Sequence, residues 1–178
     1  METVNVNLTD VASPLMRMST GAIQDKTKVV LIYPPITEDN GGYNTPSGLL
    51  IIASVLKLHG YNVSLVDCSV THGYMEILEK EVIDATIVGV YAMSVHIKLL
   101  LPVLSKLKAI NPRITIIWGG PHAILFPEQT AKSPLADVVC FGEGEDLMLE
   151  LIRSFEFREK LDLHNVKGIC FEEDGEVV

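Results

Sequence analysis

The sequence has 178 residues, 48% hydrophobic and 6% aromatic, and its 14 basic and 23 acidic side chains leave a formal charge of −9. One globular domain of this size closes a core without disulfide or metal staples, and an acidic excess gathered in residues 141–178, 11 acidic against 4 basic groups, excludes a basic face for nucleic acid. No apolar run reaches the roughly 18–20 residues that span a bilayer, and the first residues lack the basic-then-apolar layout of a secretory signal, so the expected location is the cytoplasm, with no membrane partner.

Residues 1–27 carry no hydrophobic period and are expected to form an N-terminal extension. From Lys28 the pattern turns regular. Lys28–Tyr33 (KVVLIY) is a strand, and after a loop Thr45 is placed to cap a helix that Pro46 opens. Leu49, Ile52 and Leu56 form that helix's apolar stripe, and Gly60 suits the left-handed position beyond its end. The unit then repeats, with strand Asn62–Asp67, helix Tyr74–Ile83 and strand Ala85–Ala92. Helix His96–Ile110 is stopped by Asn111-Pro112 and followed by strand Ile114–Trp118. A short helix near Pro127–Lys132, strand Asp137–Phe141 and a helix from about Glu145 to Phe155 complete the series.

The strands are apolar almost throughout, as in a parallel sheet covered on both faces. Five strand-then-helix units imply right-handed crossovers. The expected fold is α/β, a doubly wound five-stranded parallel sheet of Rossmann-like or flavodoxin-like type, order 2-1-3-4-5. Ligands would meet it at the carboxyl ends of strands one, three, four and five. Val166–Val178 reads instead as a C-terminal β-hairpin turning at Asp174-Gly175. Its return strand is three residues long, so the chain is expected to be a piece of something longer. The expected divisions are 1–27 as extension, 28–160 as the sheet domain, and 161–178 as hairpin and linker to a further domain.

The strand ends exclude several chemistries. The loop after strand one, Pro34 to Asn44, has no G-x-G-x-x-G and carries Glu38 and Asp39, which would repel a pyrophosphate. A phosphoacceptor receiver would need clustered carboxylates there, an Asp after strand three and a Lys after strand five; Pro34-Pro35, Ala92-Met93 and Gly142-Glu143 stand instead. No G-x-S-x-G elbow surrounds Ser94. Cys68, Cys140 and Cys170, 72 and 30 residues apart, fit no redox pair or metal set and read as thiols of a reducing compartment. What the strand ends offer is the Ser94 hydroxyl and bare backbone at Gly119-Gly120 and Gly142-Glu143-Gly144. Paired glycines let a bulky ligand lie against main chain. Such a mouth suits a large, flat, mostly neutral cofactor with amide side chains, a description that fits a corrin.

Tyr33-Pro34-Pro35, Pro46-Ser47-Gly48-Leu49-Leu50, Gly119-Gly120-Pro121-His122, Phe126-Pro127-Glu128, Gly142-Glu143-Gly144-Glu145 and Val166-Lys167-Gly168-Ile169 together resemble the cobalamin (B12)-binding N-terminal domain of B12-dependent radical SAM enzymes, over about residues 28–178. The resemblance implies cobalamin as cofactor, bound by Pro35, Tyr43, Met93, Ser94, Val95, Gly119, Gly120, Pro121, His122, Gly142, Glu143 and Gly144. The nucleotide tail would enter the crevice beside Met93–Val95 and Gly119-Gly120, with Ser94 hydrogen-bonded to it. His122 and the Gly142–Gly144 turn would border the corrin, and Tyr43 would approach its lower face. In the family such a domain precedes a radical SAM domain, which would add S-adenosylmethionine and a [4Fe-4S] cluster for methyl transfer or cyclisation. Two departures accompany the likeness. The first loop has no D-x-H-x-x-G histidine, so the cobalt would lack a lower axial histidine, and C-x-x-x-C-x-x-C is absent, so this chain alone would not cleave S-adenosylmethionine.

Plainer roles stand beside these. Ser94 is a candidate N-cap, Glu143 and Glu145 complement the positive end of a helix, and Trp118 is a core residue. His122 on its own reads as a hydrogen-bonded structural histidine, and His59, His72, His96 and His164 as surface or helix-end residues. The alternatives to an enzyme module are a stand-alone corrinoid carrier or B12-binding protein, and an unrelated nucleotide-binding doubly wound domain.

Overall fold

The first strand, β1 (Lys28–Tyr33), is buried from Val29 onward because helices cover both of its faces. In this computed structural model, which describes residues 27–36, 45–156 and 163–178, strands and helices alternate as the hydrophobic pattern requires. After β1 come α1 (Ser47–Leu58), β2 (Asn62–Asp67), α2 (Tyr74–Val82) and β3 (Ile87–Tyr91). A 3-10 turn at Ser94–His96 leads into α3 (Ile97–Ile110) and β4 (Thr115–Gly119). Two one-turn helices, α4 (Pro121–Leu125) and α5 (Pro127–Ala131), precede β5 (Val138–Cys140) and α6 (Gly144–Glu156). The chain closes with β6 (Ile169–Cys170), β7 (Glu172–Glu173) and β8 (Glu176–Val177). Among the described residues no helix is long and apolar enough to cross a membrane.

The main sheet runs β2-β1-β3-β4-β5-β6. Its first five strands are parallel in the expected 2-1-3-4-5 order, and β6 adds an antiparallel edge by pairing with β5. One core layer joins Val30, Ile32, Val88, Val90, Ile116 and Trp118 to the buried faces of α2 and α3. The other joins Val29, Leu31, Ile87 and Ile117 to α1 and α6. Leu100, Leu104 and Leu107, spaced along one face of α3, are fully buried, and each contributes about 1.5–3 kcal/mol. Trp118 packs in the core, and its indole N–H donates to the Leu135 carbonyl at 2.8 Å.

The amino-terminal edge of the sheet is tied down by polar contacts. Lys28 Nζ meets Asp84 at 2.6 Å and Glu81 at 3.2 Å, and Ser64 donates to Glu81 at 2.6 Å. Asn111 Nδ2 donates to the carbonyls of Val82 (2.9 Å) and Ala85 (3.0 Å), clamping the end of α3 to the α2–β3 turn. Asp137 accepts from Lys108 and from the Ile116 amide.

Several local expectations change in detail. Thr45 does not cap α1 with its side chain; Pro46 is the N-cap, and the Thr45 carbonyl accepts from the Ser47 amide. The other end matches expectation: Gly60 has φ 81°, and the Gly60 and Tyr61 amides close on the Lys57 and Leu56 carbonyls in a Schellman motif. The expected C-terminal hairpin forms, with Glu172–Glu173 paired to Glu176–Val177 and Phe171 exchanging backbone bonds with Val178 around Asp174-Gly175. Of the expected N-terminal extension, residues 1–27, all but Thr27 lie outside the described residues.

Candidate functional site

Parallel pairing lines residues into rows across the sheet, and one row reads Leu65, Leu31, Gly89, Ile117, Val138. Gly89 interrupts a row of large side chains on the layer covered by α1 and α6. Above it lies a cleft of about 250 Å³, open toward the carboxyl ends of β3, β4 and β5. Leu31, Ile117 and Cys140 form its floor around Gly89, with Leu49 and Ile52 of α1 on one side and Met148 of α6 on the other. Gly119, Gly120, Gly142, Glu143 and Gly144 rim the mouth.

The glycines set this shape. A Cβ on Gly89 would stand 2.8 Å from Leu31 Cδ2, and one on Gly144 would stand 2.8 Å from Ile52 Cδ1. Gly120 has φ 89°, and a Cβ there would lie 3.0 Å from both the nitrogen and the oxygen of Ala92. That crowding has a cause. The Ala92 amide donates to the Gly119 carbonyl at 2.8 Å and its carbonyl accepts from the His122 amide at 2.9 Å, so the β4–α4 turn wraps tightly over the end of β3. A larger residue would strain this turn as well as crowd it.

The same turn places His122 beside Ser94. Ser94 Oγ and His122 Nδ1 share a hydrogen bond of 3.0 Å across 28 residues of sequence. Ser94 therefore spends its hydroxyl on His122 and not on a helix cap. Desolvation lowers the pKa of His122, keeping the ring neutral at pH 7. Glu145 and Asp146 occupy the first turn of α6, where carboxylates suit the helix's positive end.

The remaining expected residues are dispersed. Met93 lines an adjoining recess with Tyr33, Pro46, Ser47, Gly48 and Tyr91. Pro35 is buried just beyond β1, Pro121 is the exposed first residue of α4, and Val95 is 62% exposed. Tyr43 lies outside the described residues.

His96 departs most from its reading as a surface or helix-end residue, for it precedes α3 but is fully buried. Its Nδ1 accepts from the Met93 amide at 3.2 Å, and its ring meets Tyr33 edge-on at 5.5 Å, beside the Tyr33–Tyr91 stack. Nε2 finds no hydrogen-bond partner of ordinary geometry. Burial lowers the pKa of this ring, while the Tyr91 carbonyl acts in the opposite sense. The spacing S-V-H carries no cue to burial, since the ring is covered by residues from β1 and β3. Gly89 was also missed, because an isolated glycine inside Val-Gly-Val reads as any strand residue.

Cys68, Cys140 and Cys170 are buried and free of disulfides. Burial pushes the thiols of Cys68 and Cys140 up to about 12. Among the described residues no three His, Cys, Asp or Glu side chains gather as a metal site. The apolar cleft and its glycine rim fit a flat organic cofactor with an apolar end.

Comparisons with known proteins agree with that shape. The family model of the B12 binding domain matches residues 35–152. An uncharacterised methyltransferase of Pyrococcus horikoshii is 28% identical over 157 residues, covering 84% of this chain and 34% of that protein. The anaerobic magnesium-protoporphyrin IX monomethyl ester cyclase of Rubrivivax gelatinosus is 30% identical over 139 residues, covering 75% of this chain and 25% of the cyclase. The chain thus spans about a quarter to a third of these curated relatives. Among solved structures, the cobalamin-dependent S-adenosylmethionine radical enzyme OxsB with aqua-cobalamin bound shares the fold with a TM-score of 0.72 at 24% identity, over 86% of this chain and 22% of its own. The chain belongs to the B12-binding domain family, whose cofactor is cobalamin.

Proposed function

We propose that this chain is the cobalamin-holding module of a B12-dependent radical SAM enzyme of methyltransferase or cyclase type, and that the cleft over Gly89 receives the cofactor's nucleotide tail. The observation that carries the reading is the glycine in an otherwise large-residue row, which opens an apolar slot at the carboxyl edge of a doubly wound sheet. Bound cobalamin supplies a cobalt centre able to take up and pass on a methyl group. The protein's own part is to hold and orient.

Leu31, Ile52 and Met148 would grip the tail, and the main chain at Gly119, Gly120, Gly142 and Gly144 would lie against the cofactor without side chains intervening. The Ser94–His122 pair would present a fixed hydroxyl at the edge of the site, its orientation set by the neutral imidazole. Pro35, Met93, Val95, Pro121 and Glu143 would complete the surround, with Tyr43 on the first loop. The loop after β1, Pro34 to Asn44, contains no histidine in its sequence, which supports a cobalt without a lower axial histidine. The greater length of the relatives supports a further domain beside this one.

The test is to mix the chain with hydroxocobalamin, remove free cofactor by gel filtration, reduce, and record visible and EPR spectra. Co-eluting corrinoid with a cob(II)alamin signal free of nitrogen splitting is expected. Absence of retained corrinoid contradicts the cofactor reading, and splitting from a nitrogen ligand contradicts the axial part of it.

A further inference from the structure

We propose that the cleft selects among cobamides by their lower base, accepting benzimidazole and phenol types and rejecting adenine types. This rests on the reading that the nucleotide tail enters the cleft and names the class of tail it takes.

The argument is one of hydrogen-bond supply. The floor is Leu31, Gly89 and Ile117, and the facing wall is Ile52 and Met148, none of which has a polar side-chain atom able to satisfy an amine. The backbone at Gly89 is occupied, since β3 pairs with β1 on one side and β4 on the other at this position. Trp118 turns its indole into the opposite layer, where Leu135 accepts its proton. The polar groups of the lining stand toward the mouth. Glu143 and Glu145 flank the rim glycines, and Tyr91, two residues beyond Gly89 along β3, stacks on Tyr33. Cys140 supplies a thiol, a weak hydrogen-bond group, and burial keeps it protonated.

A phenol ring placed on this floor leaves no polar edge without a partner, and dimethylbenzimidazole leaves only its single ring-nitrogen acceptor. Adenine brings an exocyclic amine and ring nitrogens that give up water and regain little, and such a loss weakens binding by roughly tenfold or more. Discrimination arises from that unpaired edge more than from any added attraction.

Trp118, the single tryptophan, borders the cleft through its backbone, so its quenching by a bound corrin reports occupancy. The experiment titrates the chain with hydroxocobalamin, with the adenine-based cobamide and with a phenol-based cobamide, and repeats the first two on Met148→Gln, which sets an amide on the cleft wall. The expected result is comparable affinity for the benzimidazole and phenol forms, affinity for the adenine form weaker by at least roughly tenfold, and a smaller ratio in Met148→Gln. Equal binding of adenine and benzimidazole forms overturns the selectivity while leaving the cofactor reading intact, and an unchanged ratio in Met148→Gln overturns its assignment to this cleft. If no cobamide binds, the cofactor reading falls and the selectivity with it.

Discussion

Two residues show how backbone and protonation state shape the site. Gly120 combines a left-handed φ of 89° with a would-be Cβ 3.0 Å from the Ala92 backbone, which the flanking hydrogen bonds hold in place. Gly120→Ala should therefore lower stability by about 1–3 kcal/mol in urea unfolding; an unchanged midpoint would show that the turn relaxes freely. His96 is a neutral ring sealed in the core with its folded pKa below the ordinary 6.5. The unfolded chain then binds a proton that the folded chain resists, so stability is full above the unfolded pKa and falls as pH drops through and below 6.5, until the folded pKa is reached. His122, lowered by desolvation, adds to the same window. Thermal melts from pH 7.5 to about 5 should show a steeper loss in the native chain than in His96→Gln, and parallel profiles would remove His96 from the account.

At the scale of elements, the pattern of apolar runs carried most of the fold into view. Strands such as Lys28–Tyr33 and Ile87–Tyr91 are legible because a doubly covered parallel strand has no polar face. The helix α4 was not legible, since a one-turn Pro-His-Ala-Ile-Leu segment has too few residues to show a period. Nor was β6 as a member of the main sheet, because two residues pairing with distant β5 leave no local signature. The glycine-rich turns after β4 and β5 could be read because paired glycines after strands stand out. The Ser94–His122 contact could not, as only the tertiary fold brings those positions together. The Asn111 clamp is an element-scale device: one amide holds two carbonyls of the α2–β3 turn against the end of α3. Asn111→Ala removes the side-chain donor from both, leaving Val82 only its bond from the Ala85 amide, and should cost about 1–3 kcal/mol, read by chemical denaturation without loss of cofactor binding; a loss of binding with no change in stability would contradict a purely structural role.

Across the whole molecule the two ends of the sheet divide the work. The amino end carries the ion pairs Lys28–Glu81, Lys28–Asp84 and Lys108–Asp137. The carboxyl end carries glycines, an apolar cleft and the Ser94–His122 pair. Stability and ligand contact are thus drawn from opposite edges, so the cleft can be filled by mutation without cutting the amino-end network. The most direct test uses this separation: calorimetric titration of hydroxocobalamin into the native chain and into Gly89→Leu, with melts of both as a check on folding. The account predicts saturable binding to the native chain and affinity weaker by at least roughly tenfold in a folded Gly89→Leu chain, because the added side chain occupies the floor of the cleft. Equal affinities in two folded chains would contradict it and place the cofactor elsewhere on the molecule.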